Sequence, residues 1–69
     1  MPDTKVDPKT LTAGQIIAAI TEHCRKMGSR PYYIDDEIAR WRADPDGLVV
    51  FRDGETGKLR AYHMGDPRL

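Results

Sequence analysis

The chain has 69 residues, 11 of them basic and 11 acidic, with 39% hydrophobic and 32% charged residues. That is room for one globular domain, with too little core for a deep catalytic cleft or a large cofactor pocket. Zero net charge removes the overall basic footprint of a dedicated nucleic-acid binder, although a local basic patch stays open. A single cysteine, Cys24, excludes an intramolecular disulfide and fits a reducing compartment. No apolar run approaches the roughly 18 residues of a membrane span. MPDTKVDPKT at the start has no apolar h-region, so a cytoplasmic protein with no membrane contact is expected. Small chains without staples often gain stability by self-association, which keeps a homodimer open.

Residues 1–10 alternate charged and polar groups around Pro2 and Pro8 and have little to bury, which predicts a loose tail. A helix is predicted over 12–27. Thr12 is a good N-cap, Gln15 can close a capping box, and Leu11 and Ile16 are spaced for a hydrophobic staple. Ile16, Ile20, Cys24 and Met27 recur at helical spacing, with Ile17 beside them. Arg25 and Lys26 suit the last turn, and Gly28 suits the left-handed position that follows it.

In SRPYYI, Pro31 pushes Arg30 towards an extended conformation, and the following Tyr32, Tyr33 and Ile34 have strand propensity. A short third strand over 31–34 is therefore an option. Asp35 reads as an N-cap, with Asp36 and Glu37 as acids in a first turn. This predicts a second helix over 35–43, with Ile34, Ile38 and Trp41 on one side and a stop at DPDG.

GLVVFRDGETGKLRAY, residues 47–62, reads as strand, turn, strand. Pairing Phe51 with Leu59 leaves a loop over 53–57 and groups Val49, Phe51, Leu59 and Ala61 on a core face. Val50 then opposes Arg60, Arg52 opposes Lys58, and Leu48 opposes Tyr62. A one-residue shift would put Phe51 opposite Arg60 and mix the faces. The expectation is an α+β fold of two helices on a C-terminal antiparallel hairpin, one domain over 11–64, with tails at 1–10 and 65–69.

Chemistry-bearing residues are sparse. Cys24, His23 and His63 are the only soft ligands, and they lack the paired spacing of a structural zinc site. Cys24 lies on the apolar stripe, and His23 beside it points elsewhere, so they are no nucleophile and base. The acids at 35–37 and in DPDG are explained by capping and a turn, not by a calcium loop. Asp53 and Glu55 read as solvated turn residues, and Gly54 and Gly57 join two strands, unlike a phosphate loop. No catalytic set, metal or cofactor is expected.

Two places suit a partner. Arg30 and Tyr32, with Tyr33, fit either core plus ordinary surface or an interface, where tyrosine and arginine are enriched. The hairpin's second face carries Arg52, Lys58 and Arg60 with Val50 and Tyr62, beside Leu48 and Met64. It fits either a solvated sheet face with snorkelling basic stems or an interface core with a charged rim. The expected function is a non-enzymatic protein-binding module, an adaptor, regulator or inhibitor of a larger protein. The alternative is a small DNA- or RNA-binding regulator, since helices followed by a hairpin resemble a winged helix in layout. The acidic first turn expected for the second helix is poor for approaching phosphates.

Overall fold

Thr12 opens the first helix as its neighbours require. Its hydroxyl accepts from Gln15 N at 3.1 Å, and Gln15 Oε1 accepts from Thr12 N at 2.8 Å, completing the capping box. The helix, α1, runs Ala13–Lys26. It ends in a Schellman arrangement, with Gly28 N donating to Arg25 O and Ser29 N to Cys24 O. Gly28 takes a positive φ of 72°, which a side chain would disfavour. Met27, expected on the buried stripe, caps the helix and is 65% exposed.

The computed structural model of the chain describes residues 2–67. Its elements are β1 (Thr4–Val6), α1, α2 (Pro31–Ala43), β2 (Leu48–Arg52) and β3 (Leu59–His63). Short 3-10 turns lie at Pro8–Thr10 and Pro45–Gly47. The three strands form one antiparallel sheet in the order β1-β2-β3, and the two helices complete an α+β domain. Among the described residues no helix is long and apolar enough to cross a membrane.

The third strand is not at 31–34. Pro31 instead starts α2, while Arg30 before it is extended at ψ 152°. Proline suits the first helical position because its φ is already helical and its missing N–H would have no helical partner there. The helix therefore begins four residues before Asp35, and Ile34, Ile38 and Trp41 still pack together on the core. The third strand comes from the segment expected as a tail, where Thr4, Lys5 and Val6 pair with Arg52, Phe51 and Val50. At the other end Asp66 is buried and donates its N–H to His63 O at 3.0 Å. The remainder of that expected tail, 68–69, lies outside the described residues, as does residue 1.

The hairpin adopts the register that sequence patterning disfavoured. Val50 pairs with Ala61, Phe51 with Arg60 and Arg52 with Leu59, and the loop runs from Asp53 to Lys58. Core positions fall to Leu48, Val50 and Ala61, which meet Ile16, Ala19, Ile20 and Cys24 of α1. Burying an isoleucine or valine here contributes about 1.5–3 kcal/mol each. Val49 and Phe51 face the other side. Placing Arg60 opposite Phe51 is favourable because the guanidinium stacks on the ring, 5.0 Å from its centroid.

A buried polar seam ties α2 to β3. Glu37, only 2% exposed, accepts from Arg40 Nη1 at 2.7 Å and from His63 N at 3.0 Å. His63 is buried too. Its Nδ1 accepts from Gly65 N at 3.0 Å, which leaves Nε2 to donate to Asp44 O at 2.8 Å. Gly47 makes this possible by its size, since a Cβ there would stand 2.7 Å from His63 Nε2.

Two substitutions test the seam. Glu37→Ala strands the His63 N–H and the Arg40 guanidinium, so denaturant unfolding should show a loss of about 1–3 kcal/mol. Gly47→Ala forces His63 out of its place and should cost about 1–3 kcal/mol in the same measurement. A wild-type midpoint for either would show that the seam carries no stability.

Candidate binding surface

Strand alternation places Val49, Phe51, Arg60 and Tyr62 on the sheet face opposite the core. All four are half-buried. Phe51 and Tyr62 meet edge to face with centroids 6.1 Å apart, and Val49 pairs directly with Tyr62. Asp3 and Lys5 at the β1 border line an open groove of about 400 Å³ with Val49, Phe51 and Tyr62. The result is an apolar and aromatic floor with one acid and one base along its margin.

The β3 border is held by a network. His23 of α1 lies 5.5 Å from the Tyr62 ring and 6.0 Å from that of Phe51, centroid to centroid. Its Nδ1 accepts from Arg60 Nε at 3.2 Å and Nη2 at 3.0 Å. Arg60 Nη1 donates to Asp53 Oδ2 at 3.1 Å, and Lys26 of α1 pairs with the same oxygen. Asp53 Oδ1 accepts from Glu55 N at 2.8 Å and Thr56 N at 3.4 Å, so one carboxylate organises the loop and anchors two cations.

Asp53 is therefore a buried hub and not a solvated turn residue. Lys26 beside it, then the Glu55 N–H, hold its carboxyl well below the usual carboxylate range; burial opposes the shift, while Arg60 and the Thr56 N–H reinforce it.

The residues expected to bind a partner do not form one patch. Arg60 and Tyr62 share the outer face, but Arg60 is committed to Asp53 and His23. Val50 is fully buried in the core, because the register turns it inwards. Arg52 lies on the core side of the sheet beyond the packed region and donates to Gly57 O at 2.7 Å. Lys58 sits in the loop, 3.8 Å from Glu22. Arg52 and Lys58 instead flank a shallow groove of about 330 Å³ beside α1, with Ala18 and Glu22. Arg30 precedes α2, and Tyr32, 53% exposed, stacks on the less exposed Tyr33 with centroids 4.4 Å apart in its first turn.

Sequence reasoning missed Val49, Phe51, Lys5, Asp3 and His23 as surface-forming residues. The run Leu48–Phe51 is apolar at every position, so it does not declare which side is core. The signal that could have decided it is Asp53 next to the strand, a partner able to hold Arg60 half-buried. No protein family, no curated protein and no solved structure matches the chain.

The hub predicts a pH dependence. A carboxylate with a depressed folded pKa contributes stability that is complete above its unfolded value and is lost as pH falls towards the folded one. Wild-type stability should fall progressively from about pH 5 downwards. Asp53→Asn should be less stable at neutral pH and show a flatter acid limb in circular dichroism titrations. Parallel acid limbs for the two proteins would rule out Asp53 as the source.

Proposed function

We propose that the chain is a non-enzymatic protein-binding module that engages a larger protein, as an adaptor, regulator or inhibitor, through the outer face of its sheet. The observation that carries this reading is the floor of Val49, Phe51 and Tyr62 left open between the charged margins of Asp3 and Lys5 and of Arg60. Aromatic residues with a peripheral arginine are the composition enriched in interface centres. The rings are already positioned by His23 and Arg60, so little side-chain freedom remains to be lost on binding.

The pairing of four cations, three of them around the β3 border, weighs against a nucleic-acid surface there. Lys26 and Arg60 are matched by Asp53, Arg40 by Glu37 and Lys58 by Glu22. Phosphate binding draws its affinity from cations that neutralise phosphates and release counterions. Cations already paired with carboxylates contribute less of that.

A pull-down from source-cell lysate, with and without nuclease, tests the reading. Wild type is compared with the Val49→Lys, Tyr62→Ser variant, which alters the floor and leaves Asp53 and Arg60 in place. The expected result is a nuclease-resistant protein partner held by wild type and lost by the variant, with both chains folded by circular dichroism. Undiminished capture by the folded variant, or capture that nuclease abolishes, would sink the proposal.

A further inference from the structure

The hydrogen-bond phase of the sheet fixes which backbone groups of β1 face outwards. Met64 N donates to Gly47 O at 2.8 Å and Asp53 N to Lys58 O at 2.9 Å, at the two ends of the β2–β3 ladder. Bonded pairs alternate along an antiparallel ladder, so Val49 and Phe51 turn their backbone to β3, while Val50 and Arg52 turn theirs to β1. Thr4 and Val6 are the β1 partners of Arg52 and Val50. Lys5 between them therefore directs its N–H and C=O away from the sheet, and Asp3 follows by the same alternation. Asp3, Thr4 and Lys5 are all exposed.

We propose that this edge pairs with the same edge of a second copy of the chain, antiparallel and centred on Thr4. In that register Asp3 of each copy lies opposite Lys5 of the other, and each such pair exchanges two backbone hydrogen bonds. The side chains of Asp3 and Lys5 line the same groove, so the two cross-strand pairs are of opposite charge on one face. Asp3 Oδ1 accepts from Gly54 N at 2.9 Å, which positions the side chain and leaves Oδ2 to meet the lysine. Charge selects this register. Centring the pairing on Lys5 would set lysine against lysine and Asp3 against Asp7, and like charges directly opposite are destabilising. A lysine on a short edge strand discourages indiscriminate strand addition. Centring the pairing on Val6 would set Lys5 against Asp7, but Asp7 O already accepts from Thr10 N at 3.1 Å and from the Thr10 hydroxyl at 2.7 Å, so that residue has no carbonyl to give a second strand. The pairing uses the Asp3 and Lys5 margin of the outer face and leaves its floor of Val49, Phe51 and Tyr62 uncovered.

The test uses the purified chain, so it can fail without touching the protein-binding reading. Sedimentation equilibrium at low salt and up to about 1 mM chain should give a mass rising from 7.8 kDa towards twice that value. Asp3→Lys and Lys5→Asp, each confirmed as folded, should weaken the dimer by about tenfold, because both pairs become repulsive. An equimolar mixture of the two variants restores opposite charges at every pair and should associate again. So should the Asp3→Lys, Lys5→Asp double swap, which is self-complementary in the same register. A wild type that stays monomeric, single variants that associate as well as wild type, or a mixture and swap that both stay monomeric would each overturn the proposal.

Discussion

One carboxylate, that of Asp53, sets the arrangement on which the rest of the molecule depends. It gathers the loop N–H groups of Glu55 and Thr56, Lys26 at the end of α1, and Arg60 of β3. Through Arg60 it decides the hairpin register, because a paired guanidinium can lie half-buried over Phe51 where a free one would seek water. Through the register it decides which apolar side chains make the core and which make the outer face. The network is fully satisfied in its hydrogen bonding: among the described residues, no buried side-chain nitrogen or oxygen lacks a partner. Buried polar networks of this kind specify one arrangement more than they add net stability.

Much of the fold was legible locally. The capping box at Thr12 and Gln15 and the left-handed Gly28 mark both ends of α1, because each is a short-range hydrogen-bond pattern with its own residue signature. The stop of α2 before Pro45 follows from the same kind of rule. What local patterning could not give was non-local. Thr4–Val6 has one apolar residue, and it becomes a strand only because β2 offers a free edge. SRPYY is compatible with strand and with helix, and the packing of Ile34 with Ile38 and Trp41 chose helix.

The candidate surface was legible only in kind. A mixed apolar and basic hairpin face does exist, but its β2 members shift by one position along the strand. Arg60 and Tyr62 stay on it, Phe51 and Val49 replace Val50 and Arg52, and Asp3 and Lys5 join from a segment that offered no pattern of its own. A register error of one residue exchanges every side chain of one strand between faces, so the β2 half of a site read from strand alternation inherits that error while the β3 half keeps its place.

The two edges of the sheet are unequal. On β3 the outward N–H of His63 is taken by the buried Glu37 carboxylate, with α2 held beside it by the same residue. An incoming strand would have to displace both. Extension can therefore proceed from the β1 side alone. A molecule with one usable edge, joined to itself about a two-fold axis, has no edge left to offer a third copy. Such an assembly terminates at two, and the sheet is closed to the open-ended stacking by which exposed strands build fibres.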